Sequence, residues 1–236
     1  MTDRPILFSG PMVRALLAGT KTQTRRTLKF QPAPGISIIR KTIRPIDGSP
    51  YHSFERRSVY GNYAGELDIR IKRGDRLWVK ENHAIVPRTA YRMSEGVQQT
   101  LRPDDDHDAA VYAAEWDRSK PGRWRPSIHM PRWASRLTLT VTDVRVEKLH
   151  DITEADAIAE GIEDVTRVVA PGDLSLRFWK RYRDGGWNGY VDTAVGSYAS
   201  LWTEINGPGT WEANPFVVAY TFTVERGNID QIGRAA

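Results

Sequence analysis

Leu137, Leu139 and Val141 alternate with Thr138, Thr140 and Thr142, so Leu137–Val146 predicts a half-buried strand. Phe216–Val224 alternates in the same way and predicts a closing strand. Asp75–Lys80 contains a shorter one, Arg-Leu-Trp-Val, after the turn signal Arg73-Gly74-Asp75. Three helices are expected. Residues 11–18 form the first, with Ser9 or Gly10 as its cap, Pro11 in its first turn and Gly19 as its stop. Asp151–Gly161 is the second; Thr153 and Asp156 make a capping-box-like start and Gly161 ends it. Ser197–Ile205 is the third, ended by Asn206-Gly-Pro-Gly209.

Between these lie 30–72 and 84–132, rich in Pro, Gly, Arg and Asp, and 163–195, rich in Gly and aromatics. Stretches of that length inside a domain are functional or carry small elements of their own. The chain has no internal repeat and no evident linker. The predicted organisation is therefore a single α+β domain over 1–236: a small mixed β-barrel or bent sheet, short helices at its mouth, and insertions.

Composition narrows the class. Of 236 residues, 40% are hydrophobic, 27% charged and 10% aromatic, which is globular. The longest apolar stretches, such as Pro215–Tyr220, fall far short of a membrane span, and the opening Met-Thr-Asp-Arg-Pro has no apolar signal core. The absence of cysteine excludes disulfides, thiolate metal sites and a Cys nucleophile, and the expected compartment is the cytoplasm. The net charge of +5 is uneven: residues 1–60 carry eleven Lys/Arg against Asp3, Asp47 and Glu55. Such an imbalance fits a phosphate-bearing partner such as RNA, or simply a solvated basic surface.

The densest chemistry lies in Leu16-Leu-Ala-Gly-Thr-Lys-Thr-Gln-Thr-Arg-Arg26, where Lys21, Thr24, Arg25 and Arg26 follow a helix end. One reading is a Thr hydroxyl with a Lys base beside it, flanked by guanidiniums. The other is a helix C-terminus whose carbonyls are capped by cations. Strict alternation would put Lys21 and Thr24 on opposite sides, so a bend is needed before they can meet. Glu81, Asn82 and His83 follow the strand of Asp75–Lys80, either lining a barrel mouth or solvated at a strand end. Glu160, just before Gly161, is either a general acid or a solvated last-turn carboxylate. The five histidines have no metal-ligand spacing, and Asp104-Asp-Asp-His-Asp108 lacks the pattern of a calcium loop. No P-loop, GxGxxG or GxSxG is present. Trp78 and Trp133 are candidate base-stacking surfaces.

Gly19-x-Lys21-x-x-Thr24-x-Arg26, followed by Gly74-Asp75, resembles the ASCH (activating signal cointegrator homology) superfamily, whose fold is a PUA-like β-barrel associated with RNA binding. The resemblance extends over Val141–Gly161, with Leu149-His-Asp-Ile-Thr-Glu, and over Leu201-Trp through Asn206-Gly-Pro-Gly-Thr-Trp-Glu-Ala-Asn-Pro215. With Ser127-Ile-His-Met-Pro-Arg-Trp133, the chain looks like the longer members carried by phages and prophages. Roughly half of it is matched; insertions at about 30–72, 85–120 and 163–195 are not. Small bacterial members are amidohydrolases that remove the acyl group from N4-acetylcytidine and related nucleosides with a Lys, a Thr and a Glu. The resemblance carries the first two onto Lys21 and Thr24, and the third onto Glu160, with Glu81 as the competing carboxylate. Many members have Glu where Thr24 stands, so the hydroxyl is informative. The small members are barely half this length, which leaves the pocket and substrate range open to the insertions.

The chemistry so implied is attack by Thr24 on the acyl carbonyl, with Lys21 as base and Glu160 protonating the leaving N4 or orienting water. In a variant Lys21 activates water and Thr24 positions it. A lysine titrates near 10.4, so a neutral amine calls for burial or for the charges of Arg25 and Arg26. Arg26 is the expected contact to a substrate polar group, with Phe8 or Trp78 stacking on the base. No cofactor or metal is needed, and the implied partner is a modified cytosine nucleoside. The alternative from another class is an RNA-binding module or ribonuclease of the same fold, in which Lys21, Arg25 and Arg26 grip the backbone.

Overall fold

The protein is mixed α+β, with most of its regular structure in strands that form several sheets and only a few short helices. A computed structural model describes residues 2–44, 46, 50–119, 121–173, 175–182 and 189–233. The order begins β1 (Asp3–Leu7), α1 (Gly10–Leu17), β2 (Gln23–Thr27), β3 (Ser37–Ile43), β4 (Tyr51–Arg57) and β5 (Tyr63–Leu67). It continues β6 (Arg76–Lys80), β7 (His83–Pro87), β8 (Thr100–Leu101), β9 (Asp108–Tyr112) and β10 (Leu137–Lys148). It ends α2 (Glu154–Ala159), α3 (Thr166–Val169), β11 (Trp179–Lys180), β12 (Tyr190–Val191), α4 (Ala194–Asn206) and β13 (Phe216–Arg226). No helix among the described residues is long and apolar enough to cross a membrane.

These elements gather into two compact units, neither of them a continuous stretch of chain. The first comprises Met1–Gly19, Gly74–Val141 and Phe222–Ala236; the second comprises Thr20–Arg73 and Thr142–Thr221.

In the first unit β1 runs parallel to β6, and β6 pairs antiparallel with the start of β10 through Trp78 and Thr138. Helix α1 begins after Ser9 with proline in its first turn, and Gly19 follows it at φ +74°, a left-handed conformation that glycine adopts without a Cβ clash. It buries Met12, Val13, Leu16 and Leu17, one stripe at helical spacing. The predicted insertion at about 85–120 carries β8, β9 and most of β7, joined antiparallel with β9 in the middle. That small sheet is covered on both faces. Ala84, Val86, Ala109 and Val111 pack with Tyr91, Trp116 and Trp124, while Ala110 and Tyr112 pack with Met130, Ala134 and Trp133.

In the second unit the start of β13 pairs antiparallel with β2, from Val217 opposite Thr27 to Thr221 opposite Gln23. Strands β3, β4 and β5 form an antiparallel meander, so the stretch 30–72 is an added sheet rather than a loop. Likewise 163–195 holds α3 and the β11–β12 ribbon. Parts of all three predicted insertions lie outside the described residues. Helix α2 has the expected capping box: Thr153 Oγ1 accepts from Asp156 N–H, and the Asp156 side chain accepts from Thr153 N–H. It is shorter than predicted, because Leu149–Asp151 form a separate 3₁₀ turn. Helix α4 starts three residues earlier than predicted. The Glu154 carboxylate accepts the N–H groups of Ala194 (2.7 Å) and Val195 (3.2 Å), a cap supplied from α2. Its buried residues Ala194, Ser197, Tyr198, Leu201 and Trp202 make one stripe, and α4 packs against α2.

Candidate active site

The second unit brings the end of α2 alongside the segment that leads into β2. Thr22 N–H donates to Ala159 O at 2.8 Å, and Lys21 and Glu160 form an isolated antiparallel bridge. Gly161 makes this possible. At φ +81° it turns the chain directly after Glu160, a backbone state that disfavours any residue with a Cβ. Lys21 therefore lies along the helix end and donates through Nζ to Glu160 O at 2.7 Å and to Glu160 Oε2 at 2.9 Å. Both side chains are almost completely buried, at 2% and 4% exposure. Glu160 is thus no solvated last-turn carboxylate.

Arg25 completes the arrangement. Its side chain has no exposure, and its Nη1 reaches Glu160 Oε1 at 3.2 Å. Its Nη2 lies 2.8 Å from Glu147 Oε1 and 3.2 Å from Asp156 Oδ2. Arg145 binds the far oxygen of Asp156 at 2.7 Å. Lys21, Arg25 and Arg145 thus face Glu147, Asp156 and Glu160, a balance of three cations and three carboxylates that makes burial tolerable.

Several titrations are displaced. Burial pushes the Lys21 amine below the usual lysine range; Glu160 pulls it back up, and the Arg26 and Arg25 charges push it further down. For Asp156 burial acts upward but is outweighed by the Arg145 hydrogen bond and the Arg25 charge, which hold it at about 2. Tyr198 of α4, buried and beside the negative charge of Glu160, is raised well above the usual phenol value.

Thr24 is buried on β2, opposite Tyr220 in the β2–β13 register, and Arg26 on the same strand is exposed. Phe8, Trp78 and Glu81 belong to the first unit and are buried there. Glu81 is gripped at both oxygens by Arg136, 2.9 Å from Nε and 3.0 Å from Nη2, with 1% of its side chain exposed. Glu81, in the link between β6 and β7, is therefore held in a buried ion pair with Arg136, directly before β10, rather than at a solvated strand end. Burial raises the Glu81 carboxyl above its ordinary range although Arg136 pulls it down. Trp133 packs against the cluster around Tyr112. The acidic run near Asp104 is turned onto arginines: Arg102 meets Asp104 at 3.0 Å and Arg88 meets Asp106 at 2.7 Å.

The sequence reading did not assign Arg145, Glu147, Asp156 or Tyr198 to the site. Two spacings would have found three of them. Asp156 and Glu160 stand four apart on one helix face, and Arg145 and Glu147 stand two apart on one strand face. Chemically, the arrangement offers a buried amine with a lowered proton affinity in contact with a carboxylate, which can pass a proton between them. Compared with family models, with curated proteins and with solved structures, the chain has no match in any of the three.

Proposed function

We propose that the protein is an amidohydrolase of the PUA-like, ASCH type that converts N4-acylcytidine, such as N4-acetylcytidine, to cytidine and a carboxylate. The observation that carries this reading is the buried contact between Lys21 Nζ and Glu160 Oε2 at 2.9 Å. It joins the two residues that would serve as base and acid, and it favours Glu160, which touches Lys21, over Glu81, whose carboxylate pairs with Arg136.

In this reading the chemistry starts from a neutral Lys21 amine, with Glu160 as the proton donor. Thr24 Oγ1 attacks the acyl carbonyl and gives its proton to Lys21. The tetrahedral intermediate collapses, the C–N4 bond breaks, and Glu160 protonates the departing N4, so cytidine leaves and an acyl-Thr24 ester remains. Water then attacks the ester while Glu160 takes its proton. Lys21 returns its own proton to Thr24 Oγ1 as the carboxylic acid leaves. Each group ends as it began. The cytosine ring delocalises charge on N4, which makes this amide easier to cleave than a peptide. Lowered proton affinity at Lys21 raises the share of neutral amine, the form the first step uses.

The RNA-binding alternative would use Lys21, Arg25 and Arg26 on phosphates; Lys21 and Arg25 face carboxylates, and Arg26 is exposed. The test is absorbance-followed hydrolysis of N4-acetylcytidine with EDTA present, using wild type, Lys21→Ala and Thr24→Ala. Cytidine released by wild type alone supports the reading. An inert wild type, also towards longer acyl chains, overturns it.

A further inference from the structure

Arg25 meets more acceptors than an ordinary ion pair requires. Nε and Nη2 face Glu147 Oε1 at 3.0 and 2.8 Å, Nη2 also faces Asp156 Oδ2 at 3.2 Å, and Nη1 reaches Glu160 Oε1 and Gln23 Oε1, both at 3.2 Å. Glu160 is consequently held at both oxygens, Oε1 by Arg25 and Oε2 by Lys21. We infer that Arg25 is a positioning residue for the Lys21–Glu160 pair, fixing the Glu160 carboxylate through Oε1 so that Oε2 faces the amine.

The geometry behind this is a fork with anchors on several elements. A carboxylate bound at one oxygen turns easily about its last torsion, which is broad rather than three-welled. A guanidinium already docked on Glu147 and Asp156 has little freedom left, and it passes that constraint to Glu160. Arg145 braces the same two carboxylates from the other side, 2.7 Å from Asp156 Oδ1 and 3.8 Å from Glu147 Oε2.

Position also fixes charge. The charged groups that act on Lys21 include Glu160 at the end of α2 and Arg25 and Arg26 on β2. Around Glu160 stand also Glu147 and Arg145 of β10, Asp156 of α2 and the Tyr198 phenol of α4. Removing the Arg25 charge takes a cation away from the amine and removes the guanidinium that competes with Lys21 for the Glu160 carboxylate. Both changes favour the protonated amine. Lysine at position 25 keeps the charge but, as a single ammonium, cannot fork across three carboxylates.

The inference rests on the amidohydrolase reading, and its test separates the two. N4-acetylcytidine hydrolysis is measured against pH for wild type, Arg25→Gln and Arg25→Lys. In parallel, Lys21 is titrated by NMR of its Cε and Nζ, assigned with Lys21→Arg. Arg25→Gln is expected to lower kcat about 100-fold with a smaller change in KM, as for a displaced catalytic group. Its acid limb and the Lys21 titration should both move to higher pH. Arg25→Lys should keep the wild-type pH position and recover part of kcat. Wild-type kcat and pH limb in Arg25→Gln, or no difference between the two variants, overturns the inference and leaves the reading intact. An inert wild type overturns the reading, and the NMR arm then decides alone: a Lys21 titration unmoved in Arg25→Gln overturns the inference, and one moved upward supports it. Should Arg25→Gln fail to fold, Glu147→Ala removes the oxygen shared by Arg25 Nε and Nη2 without touching Lys21 or Glu160. It too must lower kcat, and wild-type kcat there overturns the inference.

Discussion

Lys21 Nζ and Glu160 Oε2 stand 2.9 Å apart across a separation of 139 positions, with Lys21 Nζ also on the Glu160 carbonyl at 2.7 Å. The second contact explains how the first is kept. The ammonium is anchored to the backbone at the helix end, so it approaches the carboxylate of the same residue from a fixed direction. Consequences for activity and for stability diverge, because Glu160 keeps Arg25 when Lys21 is lost, whereas Lys21 loses the carboxylate it touches at 2.9 Å when Glu160 is neutralised.

Replacing Lys21 or Thr24 by alanine should reduce N4-acetylcytidine turnover by at least about 1,000-fold, the upper range for a lost base or nucleophile. Thr24→Ser keeps the hydroxyl and should retain measurable turnover. Steady-state kinetics on purified variants, with circular dichroism to establish folding, tests this; Thr24→Ala at wild-type rate would remove Thr24 from the chemistry.

Activity should climb with pH through the lowered titration of the Lys21 amine. Stability follows the same group with a definite sign. Between the folded-state titration of Lys21 and its ordinary value of 10.5 the unfolded chain binds more protons, so stability rises with pH across that window. Urea unfolding midpoints of wild type and Lys21→Met, compared along a pH series, should show the slope in wild type and a weaker one in the variant.

Asp156 acts at the other end of the scale. Its folded value of about 2 lies below the ordinary 3.8, so its stabilising contribution is complete above 3.8 and is lost as pH falls towards 2. Asp156→Asn should be less stable than wild type at neutral pH and should lose less stability on acidification. Equal acid sensitivity of the two proteins would contradict the assignment.

In the first unit, Arg136→Met leaves Glu81 buried without its partner and should cost about 3–5 kcal/mol. Adding Glu81→Gln to that variant should restore part of the loss, since the uncompensated charge is gone. A double-mutant cycle by denaturant unfolding reads the coupling directly.

Gly161→Ala tests the turn that presents Glu160. A Cβ at φ +81° should cost about 1–2 kcal/mol, and any relaxation of the turn displaces Glu160 from Lys21. The expected signature is a lowered thermal midpoint together with a fall in kcat that exceeds any change in KM.

What was legible in the sequence was local. Gly19 as a helix stop, the Thr153–Asp156 capping box and Gly161 as a terminator depend on contacts within about four residues, and all three stand as read. The alternation of Leu137–Val146 likewise fixed a strand, which extends two residues further to Lys148. Lys21, Thr24 and Glu160 stand out as candidate chemistry by residue type and a motif resemblance implies their roles, but residue type alone does not say whether Glu160 is solvated.

Tertiary structure decided the rest. At the early start of α4 the local cap Thr193, which accepts from Gly196 N–H, is joined by Glu154, a second cap 40 residues away that no local signal marks. The long stretch 30–72 became a three-stranded meander because its strands cover one another, although its composition is that of a loop. Arg25 appeared in sequence as one of several cations suited to a phosphate. Packing surrounds it instead with Glu147, Asp156 and Glu160, three carboxylates that lie more than 120 positions along the chain. A buried guanidinium requires such partners, and only the folding of β2, β10 and α2 onto one another determines which carboxylates they are.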